Sequence, residues 1–98
     1  MNYNKELQKY LTAMANSMQS SYEWYVKEVN KKNDNATYSA ATSCIESIKD
    51  DMQGAIGFAH FADLITPEQF NEAWVLSTSI FVVYSVKIRD LFFRKEGE

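Results

Sequence analysis

Apolar side chains recur at intervals of three and four residues from residue 3 to about residue 32, which keeps them on one face of a helix. The predicted inner face consists of Tyr3, Leu7, Leu11, Met14, Met18, Tyr22, Tyr25 and Val29. Residues 31–35 then read Lys-Lys-Asn-Asp-Asn. Lysines suit the negative end of a helix dipole, and Asn and Asp bond to their own backbone. The pattern therefore predicts an amphipathic first helix followed by a tight reversal.

A second helix is predicted to extend to about residue 62, with Asp34, Asn35 or Thr37 as its N-cap. Its apolar face is narrower than that of the first helix and is rich in small side chains. The predicted inner positions are Ala41, Cys44, Ile45, Ile48, Met52, Ala55, Ala59 and Ala62.

Several signals agree on the start of a third helix at residues 65–70. Thr66 is the predicted N-cap, and Pro67 occupies the first helical position, where its missing N–H is harmless. Gln69 completes a capping box with Thr66, and Ile65 can form a hydrophobic staple with Phe70. The third helix is predicted to end near residue 94.

Residues 75–86 are rich in β-branched and aromatic side chains, so propensity alone favours a strand. The capping box upstream favours a helix, and no second strand candidate exists to pair with this segment. Helical spacing also relates the apolar positions Phe70, Trp74, Ser77, Phe81, Tyr84, Ile88 and Leu91. We therefore predict a single all-α domain over residues 1–98, an antiparallel (up-down-up) three-helix bundle.

The third helix carries a second apolar line almost opposite its predicted core face. Its members are spaced by four, three, four and seven residues, and they are Val75, Ser79, Val82, Val86 and Phe93. Leu76 and Val83 flank this line. A seam of this kind on the outside of a monomer predicts self-association through the third helix, and hence a homo-oligomer. The alternative is a more central third helix, covered by the first helix on one side and the second on the other.

Length and composition limit the possible architectures. A chain of 98 residues is one domain, and 46% hydrophobic with 14% aromatic residues is enough for a core without a metal or disulfide. The single cysteine, Cys44, cannot form an intramolecular disulfide, which favours a reducing compartment. The N-terminus also shows no basic region followed by an apolar run. We expect a cytoplasmic protein.

Charge argues against duplex nucleic acid as a partner, and hydropathy argues against a membrane span. The net charge of −3 repels phosphate backbones, so direct binding of duplex nucleic acid is not expected. The longest uncharged stretch, residues 73–86, has 14 residues, whereas about 20 apolar residues are needed to cross a bilayer. No membrane span is predicted.

No motif predicts catalysis, and we expect no catalytic, cofactor or metal site. One histidine, His60, cannot form a zinc site alone. Glu46 and Asp50 are paired carboxylates, but helical spacing places them on a solvated face rather than in a cleft. Gly54 and Gly57 lie inside a helix and lack the other elements of a phosphate-binding loop.

Three features of the first two helices are candidate partner surfaces. Trp24 lies off the centre of the first helix's inner face and is either a binding residue or a residue that closes the end of the bundle. Acidic side chains, Glu46, Asp50 and Asp51, line the outer face of the second helix. Gly54, Gly57 and Phe61 share that face, where either a backbone approaches closely or the helix bends.

These surfaces predict a small, non-enzymatic protein-binding module that acts stoichiometrically. The usage of lysine, asparagine and tyrosine resembles that of small accessory proteins of phages and mobile elements, a resemblance of composition without a motif. It implies an inhibitor of a host defence protein, whose basic groove would meet the acidic second helix. The alternative is an oligomeric protein that sequesters a small ligand or nucleotide, with charge from Lys87, Arg89, Arg94 and Lys95.

Overall fold

A computed structural model describes the backbone of residues 3–97 and the side chains of residues 5–95 and 97. The helices are α1 (Tyr3–Lys31), α2 (Asn35–Phe61) and α3 (Pro67–Glu96). Each helix packs against both of the others, and the bundle measures 51 × 19 × 16 Å along its principal axes. The predicted three-helix bundle is confirmed, and residues 75–86 lie within α3 rather than in a strand.

The caps explain where α2 and α3 begin. Asp34 is the N-cap of α2, and its Oδ1 accepts a hydrogen bond of 2.8 Å from the Thr37 backbone N–H. Thr66 caps α3 in a complete capping box. Its hydroxyl accepts from the Gln69 backbone N–H at 3.1 Å, and the Gln69 side chain accepts from the Thr66 N–H at 2.9 Å. The predicted boundary of α3 is therefore confirmed in detail.

One continuous core extends along the bundle axis. Its fully buried side chains come from all three helices and include Met18, Tyr25, Ile45, Met52, Ile56 and Ile88. The only buried polar residue among those described is Ser77. Its hydroxyl donates to the Trp74 carbonyl oxygen at 2.8 Å and accepts from Gln53 Nε2 at 3.4 Å, so its burial leaves no hydroxyl unpaired.

The predicted inner face of α2 was wrong at one edge. Cys44 and Ala62 are exposed, whereas Ile56, which the prediction left out, is fully buried. On a helical wheel Cys44 and Ala62 lie about 80 degrees from Met52, and Ile56 lies about 40 degrees away on the other side. Because α3 packs on the Ile56 side, the buried sector of α2 is rotated towards α3.

The predicted core face of α3 needs two corrections. Trp74 keeps 40% of its surface exposed, and Phe92, which was not predicted to be buried, is 94% covered at a relative exposure of 6%. The Phe92 ring stacks on Tyr38 with centroids 4.4 Å apart, and the Phe92 carbonyl accepts a hydrogen bond from Asn33 Nδ2 at 3.3 Å. The α1–α2 turn therefore closes over the end of α3.

Candidate protein-interaction surfaces

The line predicted for self-association lies on the outside of the bundle. We call Val75, Ser79, Val82, Val86 and Phe93 the α3 outer face; all five are exposed, Val75 at 63% and Phe93 at 58%. Its flanking residues Leu76 and Val83 are about half exposed. Single exposed apolar residues are ordinary, but a contiguous row of them is typical of an interaction surface.

The neighbouring helices pack on other sides of α3 and leave this face open. Towards α2, Gln53 Nε2 donates to the Thr78 hydroxyl at 3.0 Å and the Lys49 ammonium lies 4.8 Å from the centre of the Phe81 ring. Towards α1, the Tyr84 hydroxyl donates to Gln19 Oε1 at 2.6 Å. The alternative in which α1 and α2 cover the α3 outer face therefore does not describe this fold.

A second apolar surface lies at the C-terminal end of α2. Phe61 is 88% exposed and Phe58 is 67% exposed. Gly54 and Gly57 lie beside them, and a Cβ added at either glycine would meet no described atom within 4 Å. No described part of the chain therefore approaches this notch, and α2 continues as an α-helix through it. The sequence pattern pointed to Gly54, Gly57 and Phe61 but not to Phe58, although Phe58 follows Gly54 by four residues and therefore lies on the same face.

The acidic residues of α2 lie where the sequence predicted them. Glu46, Asp50 and Asp51 are all exposed on the outside of the helix. Lys49 forms an ion pair with Asp50, with Nζ 3.2 Å from Oδ1. These carboxylates line no cleft, so they form a solvated acidic surface next to the Gly54–Phe61 end of the same helix.

Trp24 belongs to a shallow groove between α1 and α2. Its side chain is 44% exposed, and the groove is lined by Ser20, Ser21, Trp24, Ala40 and Cys44. Cys44 Sγ lies 3.1 Å from Ser21 Oγ. The Cys44 thiol therefore lies beside Trp24. The sequence did not indicate this proximity, because its pattern placed Cys44 on the inner face of the second helix.

The basic residues near the end of α3 are not gathered into one binding site. Lys87 packs over two rings, with its Nζ 5.5 Å from the centroid of Tyr22 and 5.2 Å from that of Tyr84. Arg89 faces Asp90, with 3.9 Å between nitrogen and oxygen. Lys87, one of the basic residues proposed to supply charge for a small ligand, therefore contacts two tyrosine rings where α1 meets α3.

The side chain of the single histidine, His60, packs against an aromatic ring. The His60 ring stacks on Phe70 with centroids 4.4 Å apart and an interplanar angle of 28°, and its Nδ1 is buried without a hydrogen-bond partner in the structure. Among the described side chains, those of residues 5–95 and 97, no three His, Cys, Asp or Glu groups converge on a point where they could hold a metal ion.

Comparison with protein-family models, with curated proteins and with solved structures finds no match for this chain. No helix among the described residues combines the length and the apolar character that crossing a bilayer requires. The exposed apolar and acidic surfaces are therefore the features of this chain that bear on its function.

Proposed function

We propose that this protein is a non-enzymatic binding module that presents helical surfaces to other protein chains and acts stoichiometrically. The observation that carries the proposal is the large apolar area left exposed on the α3 outer face and around Phe58 and Phe61. Contiguous exposed apolar patches usually mark protein-interaction sites, and aromatic residues such as Phe58 and Phe61 are enriched at the core of interfaces. Well-packed helices also hold these side chains in place before binding, which lowers the entropy cost of association.

The two surfaces are proposed to have different occupants. The α3 outer face is a long and regular seam, which suits a second copy of this chain. The end of α2 is compact, and Gly54 and Gly57 leave room there for the backbone of a different protein to approach Phe58 and Phe61 closely. Trp24 offers a further contact on the other side of the bundle.

Electrostatics support a basic partner for α2. Residues 34–66 carry five acidic residues against one lysine, and Asp50 and Asp51 adjoin the apolar end of the helix. A basic groove, such as one that binds nucleic acid, complements this surface. With a composition like that of phage and mobile-element accessory proteins, the form proposed is an inhibitor of a host defence protein.

Affinity capture from a native host tests the proposal with matched variants. We expect the unmodified protein to retain a partner that a Phe58→Ser, Phe61→Ser double variant loses, because the apolar end of α2 is removed. Tyr10→Ser is the control, since Tyr10 is an exposed aromatic residue on α1. Capture that is the same for all three proteins would contradict a role for this surface.

The salt dependence of capture tests whether the partner of α2 is basic. If charge attraction contributes to binding, capture should weaken strongly in half-molar salt, because screening shortens the range of that attraction. Unchanged capture would remove the basic groove from the proposal.

Thermal unfolding across a panel of nucleotides tests the alternative in which the protein sequesters a small ligand. Stabilisation by one member would favour that alternative over protein binding.

A further inference from the structure

The apolar residues of the α3 outer face are spaced symmetrically about one point in the helix. Val75 precedes Val82 by seven residues, Val82 precedes Val86 by four, and Phe93 follows Val86 by seven. The series seven, four, seven reads the same in both directions, with its centre at Tyr84. An antiparallel twofold interface pairs positions that lie at equal distances from its axis, so this spacing would set each of the four apolar residues opposite another apolar residue.

The two ends of this line differ in shape in a complementary way. At the N-terminal end, a shallow and widely open hollow is lined by Asn71, Glu72, Val75, Leu76 and Ser79. Four of these residues, Glu72, Val75, Leu76 and Ser79, follow the i, i+3, i+4, i+7 pattern of a hole that receives a side chain from a facing helix. At the C-terminal end, Phe93 projects with 58% of its surface exposed.

We propose that two copies of this chain pair through their α3 outer faces in antiparallel orientation, with the twofold axis at the level of Tyr84. Phe93 of each copy then enters the hollow beside Val75 and Leu76 of the other, and Val82 packs against Val86 of the second copy. This inference rests on the self-association in the proposed function and specifies its orientation and register.

The charges at the two ends of α3 favour the antiparallel arrangement. Glu68 and Glu72 lie near the N-terminus of the helix and are exposed, whereas Arg89 and Arg94 lie towards its C-terminus and are exposed. Antiparallel pairing brings Glu72 near Arg94 of the second copy, on the same flank of the seam. Parallel pairing would instead place the two acidic N-terminal ends of α3 next to each other and the two basic C-terminal ends next to each other. It would also align the two helix dipoles.

The size of the seam limits the expected strength of the dimer. Residues 75–93 extend over about 27 Å at 1.5 Å per residue, and the contact is roughly one helix diameter wide. Such an interface is at the small end of those found in specific complexes. We therefore expect a dimer that forms in the micromolar range rather than an obligate one.

Single-cysteine variants distinguish the two orientations. In a Cys44→Ser background, Ser79→Cys and Asp90→Cys are made separately, which retains all four apolar residues of the seam. The proposed register brings position 79 of one copy close to position 90 of the other. Mild oxidation of the mixed proteins should then give a disulfide between the two variants, identified by intact mass. In a parallel, in-register dimer these positions would be about 16 Å apart, beyond the Cα separation of about 4–7 Å that a disulfide bridges.

Each outcome decides a different part of the inference. A dominant mixed disulfide supports the antiparallel register. Disulfides only between identical variants, or a dimer that yields no mixed disulfide, overturn the register but leave self-association standing. A monomer in sedimentation at 100 µM, for the unmodified protein, overturns self-association itself and leaves capture of a different protein by α2 untouched.

A charge exchange gives a second, independent measurement. Glu72→Arg or Arg94→Glu alone should weaken dimerisation by roughly threefold or more, in keeping with exposed ion pairs. The variant with both changes should recover most of the loss, because the pair is restored with its signs reversed. Additive losses in the double variant would overturn the Glu72–Arg94 contact. Circular dichroism establishes that each variant keeps its helices.

Discussion

At the scale of single residues, Asp34 has the clearest electrostatic role. Hydrogen bonds from the side chain and backbone of Thr37, together with Lys32, lower the pKa of Asp34 from 3.8 to about 2. The Lys32 ammonium lies 3.1 Å from Asp34 Oδ2. Because the ionised carboxylate is the form that caps α2, its contribution to stability is complete above pH 4 and is lost as the pH falls towards 2.

Replacement of this carboxylate isolates its pH dependence. Asparagine also caps helices but does not ionise, so Asp34→Asn should lose less stability than the unmodified protein between pH 5 and pH 2. Urea unfolding at several pH values measures the difference, and the other carboxylates are common to both proteins. Parallel pH profiles would show that the ionisation of Asp34 is not linked to folding.

Cys44 shows how one residue escapes prediction. Its spacing of three residues after Ala41 and four before Ile48 made an inner site plausible on the sequence, yet it is exposed beside Trp24. Half of the predicted inner positions of the second helix are alanines, whose weak hydropathy contrast allows the inner face to be drawn several tens of degrees away from its real direction.

At the scale of the helices, α3 begins where its capping signals predicted. Thr66, Pro67 and Gln69 act within a few residues of one another, so their interactions form independently of the packing of the rest of the chain. This is why a segment with high strand propensity could still be assigned correctly. Local signals alone left three candidates for the N-cap of α2, namely Asp34, Asn35 and Thr37. In the structure the N-cap is Asp34.

Removal of the α3 cap should lower stability measurably. Thr66→Ala eliminates the acceptor for the Gln69 N–H and should cost about 1 kcal/mol of unfolding free energy. Thr66→Ser, which keeps the hydroxyl, is the control and should lose much less. Equal unfolding midpoints in urea for Thr66→Ala and the unmodified protein would contradict a stabilising capping box.

At the scale of the whole molecule, three helices in a narrow bundle cannot bury both sides of α3. Each helix touches the other two, and the third side of each faces outwards. In α1 that side is largely polar, whereas in α3 it carries Val75, Val82, Val86 and Phe93. The excess of apolar surface is thus a consequence of an α3 sequence that is apolar on two faces.

Charge on that face should abolish self-association without unfolding the bundle. Val82→Glu with Val86→Glu places two carboxylates at the centre of the proposed seam and should give a monomer in sedimentation at tens of micromolar. Ser43→Glu with Ser47→Glu is the control, because it adds the same charges at exposed positions of α2 with the same spacing. A dimer that persists in the Val82, Val86 variant while its helices remain would place the interface elsewhere.

The number of helices, their boundaries to within a few residues and the apolar line along α3 could all be predicted from the amino-acid pattern. These features depend on periodicity and on capping groups that act over three or four residues. The packed bundle was needed to show which alanine-rich side of α2 is buried, that Phe92 closes the bundle over Tyr38, and that no described backbone from elsewhere in the chain approaches Gly54 or Gly57. Those outcomes depend on how helices rotate against one another, which is set by the packing of all three together rather than by any local segment.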